Sequence, residues 1–155
     1  MNARPNPSGH ARLRAGRRSI PGQVYLLTTC CAGGWKRFAE HPAAHEAART
    51  LAQPCAWGDA GLLAWVLMPD HLHLLIQLEE QPLGRVMQQG KSRIAVAVQR
   101  IEQAPPPFWQ PAFHDRALRS EEDIRRAARY LVANPLRAGL VDEIGAYPYW
   151  DAVWL

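Results

Sequence analysis

Cysteine is scarce in this 155-residue chain. Its three thiols, Cys30, Cys31 and Cys55, are odd in number and lack a CxxC spacing, which argues against a disulfide framework or a zinc ribbon and fits a reducing compartment. No apolar run approaches the ~20 residues that a membrane span requires, and no secretory leader is recognisable. No segment repeats. Acidic residues are missing from one place in particular: residues 1–18 hold Arg4, Arg12, Arg14, Arg17 and Arg18 and no Asp or Glu. The net charge of +4 therefore resides in that stretch, leaving 13 basic against 14 acidic residues elsewhere.

With 48% hydrophobic residues, the remainder has length and apolar content enough for one ordinary domain with a true core. Residues 1–20 read as a flexible, Arg-rich arm suited to phosphate backbones, and residues 21–155 as the single domain. The same arm composition also fits a solubilising tail or an organelle transit segment; contact with nucleic acid is preferred.

Hydrophobic periodicity predicts the order β-α-β-β-α-β-α. Strands are expected over Gln23–Cys31, Leu62–Met68, His71–Leu78 and Phe108–Leu118. Helices are expected over Glu40–Trp57, Pro82–Gln103 and Ser120–Ala133. The second of these has an approximate stripe of Leu83, Val86, Met87, Ile94, Val98 and Ile101. The tail, Pro135–Leu155, reads as irregular and aromatic. This order contains the split βαβ pattern of ferredoxin-like domains. The fold class is thus α+β: an antiparallel sheet with helices on one face, the other face available to a ligand, and a C-terminal helix.

The third strand is the most informative segment. Strand side chains alternate, so His71, His73, Leu75 and Gln77 share one face, while Leu72, Leu74, Ile76 and Leu78 form a wholly apolar second face. Two neutral imidazoles side by side suit a divalent cation; two surface histidines are the plain alternative. On the last helix, Ile124, Ala127, Ala128 and Leu131 form the buried stripe. Tyr130 lies beside it, and Asn134 one turn later points from nearly the same side, although Pro135 disfavours helical geometry at Asn134. A phenol needs a nearby cation or base to act as a nucleophile; a helix-flank tyrosine donating one hydrogen bond is the alternative. His41 and His45, at i and i+4 on the first helix, read as solvated.

Taken together, these segments resemble the IS200/IS605-like transposases, single-domain HUH endonucleases with one catalytic tyrosine, and in particular their REP-associated branch. The resemblance runs from Gln23 to Trp150. It rests on Val66-Leu67-Met68-Pro69-Asp70-His71-Leu72-His73-Leu74-Leu75, on Phe113-His114-Asp115-Arg116-Ala117-Leu118-Arg119, on the run from Tyr130 to Val141, and on Tyr147-Pro148-Tyr149-Trp150. It implies that His71, His73 and Asn134 hold Mg²⁺ or Mn²⁺. It also implies that Tyr130 attacks single-stranded DNA to give a 5′-phosphotyrosine link and a free 3′-hydroxyl, on a palindromic repeat folded as a hairpin. Arg12, Arg14, Arg17 and Arg18 in the arm, Lys91 and Arg93 on the second helix, and Arg137 are phosphate-contact candidates. Expected besides are a monomer or homodimer with no required protein partner, no membrane association, and a cytoplasmic, nucleoid-associated location. Two other readings stay open: a non-catalytic hairpin-binding protein, and a metal hydrolase unrelated to DNA.

Overall fold

The computed structural model describes residues 19–154; Arg12, Arg14, Arg17 and Arg18 lie outside the described residues. The elements are β1 (Val24–Cys30), α1 (His41–Leu51), β2 (Gly61–Leu67), β3 (His71–Gln77), α2 (Leu83–Gln99), β4 (His114–Leu118), α3 (Glu121–Val132), α4 (Asn134–Arg137) and β5 (Trp150–Ala152). They form one antiparallel sheet in the order β4-β1-β3-β2-β5. Its first four strands have the ferredoxin-like arrangement, so the expected α+β class is observed.

The alternation along β3 decides the layering. Leu72, Leu74 and Ile76 are fully buried in one cluster with Leu83, Val86, Met87, Ile94 and Val98 of α2 and Ala43, Ala44, Ala47 and Leu51 of α1. Leu75 points the other way and is also fully buried, beneath Ala127, Ala128, Leu131 and Val132 of α3. The helices thus occupy both faces. The expectation of one helix-covered and one open face is corrected: α3 roofs part of the second face, because its apolar stripe must itself be buried. The roof stops short of the first residues of β3, so His71 and His73 stay half-buried.

Other departures from expectation are local. Pro54 ends the first helix early, and Pro54–Trp57 continues as a 3-10 turn. The second helix stops at Gln99, leaving Ile101 half-exposed beyond its end. The fourth strand begins only at His114; before it, Trp109 forms an isolated bridge with Cys31. The tail is not wholly irregular, since Trp150–Ala152 adds β5 beside β2. Ser19 accepts a 2.8 Å hydrogen bond from the Leu83 amide, satisfying one of the orphan donors at the α2 N-terminus.

Helix α2 approaches the 3-10 turn Pro54–Trp57 closely through one glycine. The Trp57 ring is fully buried, with its Nε1 donating to the Leu51 carbonyl at 2.8 Å. A Cβ on Gly90 would stand 2.1 Å from that ring. Gly90→Ala should therefore destabilise the protein by about 1–3 kcal/mol through overpacking, despite the ~1 kcal/mol gain in helix propensity. Urea denaturation of the two proteins measures the difference, and a more stable variant would contradict the close approach.

Candidate metal and nucleophile site

The imidazoles of His71 and His73 meet at one end of the sheet, their Nε2 atoms 3.1 Å apart and their ring planes nearly perpendicular. Each ring is oriented from behind. His71 Nδ1 donates to Asp70 Oδ1 at 2.6 Å, and His73 Nδ1 lies 2.8 Å from Thr28 Oγ1. Register explains the second contact, since Thr28 on β1 is the direct partner of His73. With both Nδ1 atoms engaged, both Nε2 atoms are presented to the same point.

Two donors at right angles around a cation ~2.1 Å away stand about 3 Å apart, so the imidazole pair fits one divalent ion. Among the described residues, no group of three or more His, Cys, Asp or Glu side chains could hold a metal. Asn134, the third ligand that the resemblance implies, carries an amide oxygen of the right chemistry. It opens α4, half-buried. Ala133 ends α3 with ψ near zero, so Pro135 turns the chain into a new short helix at the expected break.

Tyr130 is 61% exposed, on the last turn of α3. The Arg137 guanidinium lies over its ring, 3.6 Å from the centroid, a cation–π contact that fixes the phenol's direction. The same positive charge also acts on His73. Burial first, then the charges of His71 and Arg137, push the His73 pKa down to about 4. Arg137 thus ties the tyrosine to the histidine pair, and α3 packs on the sheet face from which both imidazoles project. The predicted residues Tyr130, Arg137, His71 and His73 fall at one locality.

The family model described as transposase IS200-like matches residues 25–132, more than half of the chain. The chain belongs to that family. It is 28% identical over 90 residues to the REP-associated tyrosine transposase of Escherichia coli K12, covering 56% of this chain and 50% of that one. A candidate REP-associated tyrosine transposase of Haemophilus influenzae Rd is 26% identical over 113 residues, covering 63% of this chain and 61% of the relative. The chain therefore spans about half to three fifths of these relatives' length. Among solved structures, a REP-associated tyrosine transposase bound to a REP hairpin superposes with a TM-score of 0.69 at 20% identity, over 86% of this chain and 79% of that one. A candidate transposase from Deinococcus radiodurans R1 gives a TM-score of 0.54 at 18% identity, over 77% of this chain and 95% of its own. At such identities these likenesses concern the IS200-like fold.

The remaining candidates of this IS200-like transposase chain divide. Lys91 reaches the Gln110 carbonyl at 2.9 Å, and Gln110 in turn donates to Cys30, the strand partner of His71. Lys91 is thus held at the histidine end, and burial lowers its pKa. Arg93 lies apart from Lys91: it turns to Cys55 Sγ at 3.4 Å, over the outer surface of α1 and α2, behind the sheet from the histidines. His41 is exposed but touches the Tyr149 hydroxyl rather than standing free. Among the described residues no helix is long and apolar enough to cross a membrane.

The depressed pKa of His73 has a sign that can be measured. Its unfolded value is 6.5 and its folded value about 4. Between these the unfolded chain binds a proton that the folded chain does not, so stability falls as pH drops through that window and levels off below it. The metal-free protein should lose on the order of 2–3 kcal/mol from this group between pH 7 and pH 4. Thermal melts at stepped pH should show the decline, and His73→Asn should flatten it; an unchanged decline in the variant would refute the assignment.

Proposed function

We propose that this protein is a metal-dependent, single-stranded DNA endonuclease and strand transferase that works through a phosphotyrosine. The observation that carries the reading is the locality just described: a pair of converging Nε2 atoms and an exposed tyrosine, linked by one arginine. Membership of the transposase family supports DNA as the substrate class, and the hairpin bound by the structural relative makes a hairpin-forming repeat the substrate to try.

Tyr130 Oη attacks the phosphorus of a phosphodiester. A P–O bond to the Tyr130 oxygen forms as the P–O3′ bond breaks; the phenolic proton is lost, and the 3′-oxygen leaves as a hydroxyl once it gains one. The 5′ side remains on the protein as a phosphodiester of tyrosine. Attack by another 3′-hydroxyl runs the exchange backwards without a nucleotide cofactor. Arg137 holds the phenol ring and adds positive charge beside the phosphate it faces. His71, His73 and Asn134 would hold Mg²⁺ or Mn²⁺, with Asp70 and Thr28 fixing the imidazoles. When bound, the ion would polarise a phosphoryl oxygen and stabilise developing charge. Because His73 stays neutral above about pH 4, it would not have to lose a proton before ligating.

The test is to incubate the protein with labelled single-stranded hairpin repeats and Mn²⁺, then to separate the mixture under denaturing conditions. A labelled covalent adduct with a free 3′-hydroxyl on the released fragment is expected. A native gel shift with no adduct would instead favour a hairpin-binding protein without catalysis.

A further inference from the structure

The sheet face that carries His71 and His73 is roofed unevenly. Helix α3 packs on β2, β3 and β5, which leaves the first residues of β4 and the C-terminal half of β1 beside it. Register runs straight across that gap. His114 on β4 pairs with Thr28 on β1, and Thr28 pairs with His73 on β3. In the neighbouring row Arg116 pairs with Leu26, and Leu26 with Leu75. Directly paired residues share a face, so His114 and Arg116 project on the same side as His73. Both are exposed, whereas Thr28 and Leu26 are half-buried. Two strand spacings, about 10 Å, separate β4 from β3. No ion pair engages Arg116 among the described residues, and the adjacent Asp115 belongs to the opposite face.

We propose that this uncovered strip is the track for the unpaired DNA strand leading to the phosphodiester that Tyr130 attacks, with Arg116 binding one backbone phosphate and His114 and Thr28 lining the path to His73. The inference rests on the strand-transferase reading and extends it to a specific surface. A phosphate held by Arg116 would lie only a few nucleotides from the one at the histidine pair. On this reading it belongs to the same single-stranded segment, with the paired stem beyond it. The strip is a strand-wide shelf with a guanidinium at its edge and the α3 wall opposite, which suits one backbone tracked by charge.

Two labelled oligonucleotides distinguish the outcomes: a hairpin with a single-stranded flank, and the same stem and loop without it. Binding is measured across a salt series for the wild-type chain, Arg116→Ala, Arg116→Lys and His114→Ala/Arg116→Ala. For the flanked hairpin, Arg116→Ala should weaken binding about tenfold and reduce the slope of log K against log salt by about 0.7, the single-strand value for one lost phosphate contact. Arg116→Lys should retain most of both, and the bare stem should bind all variants alike. Equal losses on both oligonucleotides would move the contact to the stem and overturn the proposal, as would variants that match wild type on both. A wild-type chain that forms adducts while Arg116→Ala remains indistinguishable from it sinks the track alone. One that neither binds nor forms an adduct sinks the strand-transferase reading and the track with it.

Discussion

Tyr130→Phe should abolish the covalent protein–DNA adduct, a loss of at least about a thousandfold, while leaving folding and hairpin binding nearly untouched. The asymmetry follows from where the residue stands. The ring is 61% exposed on the last turn of α3, so removing one oxygen should alter stability by less than about 0.5 kcal/mol. Phenylalanine keeps the ring on which Arg137 lies, so the local geometry survives and only the attacking atom is lost. If Tyr130 is the nucleophile as proposed, the covalent route then has no substitute. Arg137→Ala should have a smaller effect of about ten- to a hundredfold, because the oxygen remains but its aim and the neighbouring charge do not. Denaturing gels report the adduct, native gels report binding, and thermal melts report folding. An adduct that persists undiminished in Tyr130→Phe would show that another residue is the nucleophile.

Much of this site was legible in the sequence because it depends on short-range geometry. Two residues apart on a strand means one face, and this placed His71 with His73; the i, i+3, i+4 stripe of α3 fixed which side Tyr130 would take. The missed elements are those that require knowing which strand lies beside which. Thr28 orients His73 only because β1 pairs with β3 in a particular register, and no local pattern marks that threonine. Asp70 was visible in the motif, but its bond to His71 depends on the turn between β2 and β3. Lys91 and Arg93 part from each other for a local reason. Two residues from Lys91 on a helix is roughly 200° of rotation, which sends the two cations to different sides of the layer. The short β5 was lost in an aromatic tail because three residues are too few to show alternation, and its pairing with β2 is a long-range contact. The partial roof over the histidine face follows from α3 having an apolar stripe of its own, a consequence that counting one helical layer overlooked.

Replacing either imidazole should remove specific divalent-metal binding. His71→Ala and His73→Ala each delete one of two nitrogen donors whose Nε2 atoms stand 3.1 Å apart, and a single imidazole loses the convergence that fixes one ion. Substituting the groups behind the rings sets the scale. Asp70→Asn and Thr28→Val leave both donors in place but free the rings to turn, and losses of such outer partners cost about ten- to a hundredfold in affinity. Loss of a ligand itself should therefore exceed about a hundredfold. Two nitrogen donors also bias the pair toward Mn²⁺ over Mg²⁺, which prefers an all-oxygen shell and sheds its waters reluctantly. Titration of Mn²⁺ followed by electron paramagnetic resonance measures affinity with no DNA present, so the result stands apart from catalysis. The expected ranking places wild type above Thr28→Val and Asp70→Asn, and those above either histidine variant. Equal Mn²⁺ affinity in wild type and both histidine variants would mean that the pair does not hold the ion, and that the charge stabilising the attacked phosphate comes from the protein's own cations, Arg137 foremost.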